Sequence, residues 1–218
     1  MSKDQTIKSV IEQVLKEVNG SRKFKQSIDL IISLKDFNPK NPNDKVDEYV
    51  RLPVGGFKKI SVCALVGKEL YPNAKDNCDE VIQFDEFKNW SKARDAKKLG
   101  RKYDYFIAQA NLMPEIAKVF GKYLGSIGKL PNPKMGTVVP ANGDTAKVIE
   151  NLKVMVKLKT KNQPNVHTII GKEEMSAEDI TKNAVTVIER IEHALPKGKQ
   201  QIKHIFIKAT MSKSYKVE

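Results

Sequence analysis

Cysteine, histidine and tryptophan are scarce in this chain: two cysteines, three histidines and one tryptophan occur in 218 residues. Cys63 and Cys78 form no CxxC or CxxH spacing, which argues against structural zinc and against a disulfide framework. Cys63 lies inside KKISVCALVG and reads as a small core hydrophobe. His167, His193 and His204 fall on separate segments, and no Ser-His-Asp spacing, HExxH or DxD stands out, so catalysis is not expected. No apolar run approaches membrane-spanning length, and MSKDQTIKSV lacks an apolar leader core. The expectation is a soluble cytoplasmic protein with no cofactor, no metal and no membrane contact.

Positive charge is what the chain has in excess. Lys plus Arg number 39 against 26 Asp plus Glu, a net charge of +13 and a pI near 9.5. Residues 1–60, 61–153 and 154–218 carry +4, +4 and +5, so the basicity belongs to folded surfaces and not to a tail. Such a balance favours an anionic partner, a nucleic acid or a membrane surface.

Periodicity predicts a helix over residues 4–18, with Ile7, Val10, Ile11, Val14, Leu15 and Val18 on one face, Asp4 as cap and Asn19-Gly20 as stop. RKFKQSIDLIISLK reads as a long strand with Phe24, Gln26, Ile28, Leu30 and Ile32 on one face. Residues 38–43 form a loop and 47–52 a second strand. From Pro53 the pattern shifts: KKISVCALVG is the near-continuous apolar strand of a parallel sheet buried on both faces. A helix at 70–74, a strand at 80–83, an amphipathic lysine-rich helix at 85–99 and a strand at 103–110 follow. Next come a helix at 113–125 with Pro114 in its first turn, a loop at 125–143 and a helix at 144–151. Strands at 153–160 and 166–171 precede a long helix opened by the Ser176/Asp179 capping box and ended by Pro196-Lys197-Gly198. In QIKHIFIKATMSKS a last strand then runs to Ile207 with Ile202, His204 and Phe206 on one face, and from Lys208 to Ser214 hydroxyls, lysines and one methionine crowd together.

The outer segments pair helix with long strands, whereas the middle alternates β and α. The fold expected is therefore an α+β discontinuous domain from 1–60 and 154–218, interrupted by an inserted α/β three-layer, Rossmann-like domain at 61–153. Two closely spaced crossings near Gly55-Gly56 and residues 152–154 would act as a double hinge.

GKYLGSIGK fails as a P-loop, because Tyr123 stands where its first glycine belongs and Leu130 where Ser or Thr is required. Gly125-Ser126-Ile127-Gly128 matches the GxxG that clamps nucleic-acid backbone in KH domains, but it reads equally as a helix end and turn, with Lys129 and Lys134 beside it. The stretches with Lys23, Phe24 and Ser27, and with Lys208, Thr210, Ser212 and Lys213, each set lysines and hydroxyls around one apolar group. Lysines attract phosphates, hydroxyls suit ribose 2′-OH contacts, and Phe24 or Met211 could stack on sugars or bases. The alternative is that Phe24 is core and Met211 a gap-filler.

RKFKQSIDLIISLKDFNP resembles the R-x-F-x-[QE]-[ST]-[VI]-[ED] strand of the ribosomal L-one family, the large-subunit protein of the mobile stalk. YDYFIAQANLMPEIAKVFGKYLGSIGKLPNPKMGTV is similar to that family's DFFIAEAPLMP…LG…LGPRGKMPNP, IFIKATMSKS to its VYVKTTMGP, and QPNVHTIIGKEEMSAEDITKNA to a further block. The likeness spans the whole chain in order and is nearer to archaeal and eukaryotic members than to bacterial ones.

The resemblance implies a ribosome-associated structural protein that binds a junction of large-subunit rRNA. It also implies assistance to release of deacylated exit-site tRNA, repression of the protein's own mRNA, and no homo-oligomer. By position, the RNA-contacting residues it implies are Lys23, Phe24, Gln26 and Ser27 on the first strand. On the last strand they are Lys208, Thr210, Met211, Ser212 and Lys213, with His204 beside them and His167 on a neighbouring loop. Two departures stand out. Ser212 replaces a family glycine, which would strain the site if that glycine needs positive φ. Ser126 and Ile127 replace the Pro and Arg of LGPRGK. The competing reading from the middle segment is a Rossmann-like nucleotide-binding enzyme.

Overall fold

A computed structural model describes residues 3–18, 22–39, 41, 44–57, 59–90, 93–160 and 163–217. The backbone divides into two compact units, one from Met1–Phe57 with Val154–Glu218, the other Lys58–Lys153.

The first unit is built on a four-stranded antiparallel sheet. β1 (Ser27–Leu34) lies between β8 (Asn165–Lys172) and β9 (Ile202–Ala209), and β10 (Tyr215–Lys216) adds to the outer side of β9. Alternation decides what each face meets: Ile28, Leu30, Ile32 and Leu34 are buried, while Ser27, Asp29, Ile31 and Ser33 are half-buried on the other side. The buried face packs under α1 (Lys3–Val18) and α6 (Ala177–Ala194), which contribute Ile7, Ile11, Val14, Ala184, Val187 and Ile191. Asp4 stands inside the first turn of α1, and the expected stop at Asn19-Gly20 lies outside the described residues, as does part of the 38–43 loop. Ser176 caps α6 as the sequence predicts, its Oγ accepting from the Asp179 N–H at 3.1 Å. A two-stranded sheet, β2 (Asp47–Arg51) with β7 (Met155–Lys159), joins the chain leaving this unit to the chain returning to it.

The second unit is a parallel sheet in the order β4-β3-β5-β6, with β3 at Val62–Val66, β4 at Glu80–Gln83, β5 at Tyr105–Gln109 and β6 at Val138–Val139. All five residues of β3 are buried. Cys63, Leu65, Phe106 and Ala108 point to a core closed by α3 (Ala93–Lys102) and α4 (Met113–Ser126). Val62, Ala64, Val66 and Ile107 point to the opposite core, closed by α2 (Tyr71–Asn77) and α5 (Thr145–Val154). Both cysteines are free, and burial pushes the Cys63 thiol far above its ordinary value.

Three sequence expectations need correction here. The helix expected over 85–99 is a 3-10 segment, Phe84–Trp90, followed by α3. A threefold repeat stacks Phe84, Phe87 and Trp90 on one side, which lets Phe87 reach Phe120 edge-to-face at 5.5 Å between ring centres. The loop at 125–143 contains the short edge strand β6, held by Ala108 and Gln109. The first strand begins at Ser27, so residues 22–26 lead into the sheet without belonging to it.

Candidate nucleic-acid interface

The lead-in to β1 and the exit from β9 meet at one end of the larger sheet. Ile28 pairs with Ala209, and beyond that pair one more backbone bond is made before side chains take over from the ladder. Thr210 N–H donates to the Ser27 carbonyl at 3.1 Å, and Ser27 N–H donates to Thr210 Oγ1 at 3.2 Å. One step further, the Met211 N–H donates to Gln26 Oε1 at 3.0 Å. Gln26 is itself held by Glu173, whose Oε2 accepts from the Gln26 N–H and whose own N–H donates to the Gln26 carbonyl, both at 3.1 Å.

Residues 209–212 form a tight turn. Ser212 N–H donates to the Ala209 carbonyl at 3.2 Å, and Ser212 Oγ accepts from the Ala209 N–H at 2.9 Å. The turn opens the β9–β10 hairpin and leaves Thr210 and Met211 at its tip. Asp36 alone among the described non-glycine residues has positive φ, so Ser212 fits its position without left-handed strain.

The exposed surface at this end is apolar and basic together. Phe24 is 51% exposed and Met211 58%, two of only four large hydrophobic residues so exposed among those described. Neither is core or gap-filler. Lys23 and Lys213 are exposed beside them, and Lys208 is half-buried opposite Asp29. Lys25 is held by Glu174 at 3.2 Å.

The proposed set is thereby sorted. Phe24, Ser27, Thr210, Met211 and Ser212 are brought together, with Lys23, Lys208 and Lys213 around them. Gln26 is 1% exposed, so its side chain cannot face a ligand; it fixes the turn from below. His167 is exposed but stands opposite Ile31, about 13 Å along β1 from Ser27. His204 stands opposite Ser33, about 20 Å from Ser27, packed edge-on against Phe206 with its Nδ1 buried and unpartnered. Glu173 and Glu174 hold Gln26 and Lys25 from a distant segment, a grip that leaves no local signal in the sequence. Among the described residues no group of three or more His, Cys, Asp or Glu could hold a metal ion, and no helix is long and apolar enough to cross a membrane.

Comparison with known proteins bears on the whole chain. The large ribosomal subunit protein uL1 of Methanothermobacter thermautotrophicus is 37% identical over 198 residues, covering 90% of this chain and 91% of that protein. The protein of the same name from Pyrococcus abyssi is 37% identical over 199 residues, 90% and 89% of the two chains. That of Methanothermococcus thermolithotrophicus is 32% identical over 219 residues and covers both chains fully. A family model described as the ribosomal protein L1p/L10e family matches residues 14–213, and the chain belongs to that family.

Proposed function

We propose that this protein is a structural constituent of the large ribosomal subunit, ribosome-associated in the cytoplasm, and binds large-subunit rRNA through the surface where residues 23–27 meet residues 208–213. The family is one of ribosomal proteins and not of enzymes, which decides against a nucleotide-binding enzyme. The observation that carries the reading is the closure of Ser27 and Gln26 on Thr210 and Met211, because it presents Phe24 and Met211 to solvent beside lysines on a rigid base. Phe24 and Met211 pack on sugars or bases, Ser27 and Thr210 address ribose hydroxyls, and Lys23, Lys208 and Lys213 attract phosphates. Gln26 and Ser212 hold the surface in shape. His167 and His204 lie outside this contact. The unit at residues 58–153 is an inserted domain, and residues 1–57 with 154–218 form the RNA-binding one. On the ribosome the chain assists release of deacylated tRNA from the exit site, and it represses translation of its own mRNA where that message carries a similar junction.

The test is competition binding between an rRNA junction fragment and random duplex RNA. Phe24→Ala and Thr210→Ala are expected to weaken junction binding by about 1–3 kcal/mol, with circular dichroism unchanged. Wild-type protein that binds the junction no better than random duplex would end the reading.

A further inference from the structure

The second unit carries a surface that the strand-end site does not use. α3, ARDAKKLGRK, buries Ala96, Leu99 and Gly100 and exposes Arg94, Lys97, Lys98, Arg101 and Lys102. At 3.6 residues per turn these five cations share an arc of about 140° opposite the buried residues. Elsewhere lysines are often neutralised, as Lys8 is by Glu178 and Lys118 by Glu115. On α3 only Lys102 is, by Glu80 at 2.7 Å. Arg94, Lys97, Lys98 and Arg101 have no carboxylate partner among the described residues. Yet Arg94 with Lys98, and Lys97 with Arg101, stand four apart, where like charges each weaken a helix by some ~0.2–0.5 kcal/mol. On the Arg94, Lys97 and Arg101 side the helix keeps an electrostatic cost that no ion pair among the described residues relieves.

The two flanks of this face differ. Beyond Lys98 and Lys102 lies an open cleft whose wall includes Glu80, Glu86 and Asp95, carboxylates that repel an anion. Beyond Lys97 and Arg101 lies the turn after α4. Gly100 leaves room there for Ile127, since a Cβ on Gly100 would come within 2.6 Å of Ile127 Cδ1. Ile127 is 49% exposed, and the glycines on either side of it, Gly125 and Gly128, have open space where a side chain would be. An exposed aliphatic group, two bare stretches of backbone and a row of unpaired cations are thus contiguous. Such a surface fits a sugar-phosphate backbone, which offers apolar ribose edges between regularly spaced anions, better than an isolated small anion.

We propose that the Arg94, Lys97 and Arg101 side of α3, together with the Gly125–Gly128 turn, is a second RNA contact that binds phosphodiester backbone without reading sequence. The proposal rests on the chain being an RNA-binding protein.

The experiment uses the full chain with Arg94, Lys97 and Arg101 all changed to Gln, a residue of similar helix propensity. Binding to junction RNA and to random duplex is measured across a salt series. A control chain carries Lys75→Gln, Lys147→Gln and Lys153→Gln, on the helices that cover the other face of the sheet. Losing three phosphate contacts should flatten the salt dependence of log K by about two to three units and weaken binding about 10- to 100-fold near ~0.1 M salt. Both RNAs should lose equally, so their ratio stays constant, whereas Phe24→Ala lowers that ratio. An unchanged slope and affinity, or an equal loss in the control chain, overturns the proposal. So does polyglutamate competing as well as RNA at equal charge, since that assigns the face to acidic protein. Failure of the strand-end reading shows separately, as wild-type protein with no preference for the junction.

Discussion

Gln26 Oε1 accepts a hydrogen bond from the Met211 N–H across 185 positions of sequence. A buried amide from one end of the chain thus sets the height of an exposed methionine from the other. Gln26→Leu keeps the volume and removes the acceptor. It should cost about 1–3 kcal/mol in urea denaturation, because donors around it lose their partner. Junction RNA affinity should fall about tenfold, or ~1.4 kcal/mol, although Gln26 never faces the RNA. Affinity unchanged alongside the stability loss would show that the turn holds its shape without the amide.

Ser212 replaces a glycine of the resembled motif and supplies the turn with an acceptor for the Ala209 N–H. Ser212→Gly is therefore not a neutral return to the family pattern. It should destabilise the protein by about 1–2 kcal/mol, from one lost hydrogen bond and a looser unfolded chain. Faster hydrogen exchange at the Ala209 amide is the specific sign, and an unaltered exchange rate would contradict the role given to the hydroxyl.

Legibility from sequence followed the range of the interaction concerned. β4 was read at its structural bounds, and α6 was legible because Ser176 and Asp179 are three residues apart. The 3-10 segment was hidden, since the pull of Phe87 toward Phe120 overrides a helical period that local spacing suggests. β10 is two residues long and exists only because β9 is there to pair with it. For the candidate site, composition alone left Phe24 and Met211 open between core and surface. Resemblance grouped them, but it also grouped Gln26, His167 and His204, whose positions depend on strand register. Register is fixed by pairing between distant segments, and no local pattern near His204 reports that it stands opposite Ser33.

Glu80 makes the stability of the inserted unit pH-dependent. Hydrogen bonds from Lys102, then from the Tyr103 hydroxyl, hold its carboxyl below the ordinary value of 4.5. A depressed folded-state pKa means that the unfolded chain takes up the proton first. The contribution is therefore complete above 4.5 and is lost as pH falls through the lower folded-state value. Glu80→Gln should melt earlier than wild type near neutral pH, and the gap should close in acid. A gap that is constant with pH would remove the charge as its cause.

Asn183 is fully buried in α6 and satisfies three backbone groups. Its Oδ1 accepts from the Val54 N–H at 3.0 Å, and its Nδ2 donates to the carbonyls of Val54 and Ile170, each at 2.8 Å. Val54 precedes Gly55, where a Cβ would lie 2.2 Å from Val154 Cγ1, so the outgoing and returning chain segments are packed here without slack. Asn183→Leu strands those polar groups and should cost about 2–4 kcal/mol. Asn183→Asp tests the donors separately, since a carboxylate would face two carbonyls with nothing to donate. Burial and that repulsion raise the folded-state pKa of the new carboxyl above its unfolded value. The Asp variant should therefore gain stability as pH falls through that raised value, when the protonated acid can donate to one carbonyl. The Leu variant should show no such gain over wild type. Parallel pH profiles for the two variants would mean that packing, and not the hydrogen bonds to Val54 and Ile170, is what Asn183 provides.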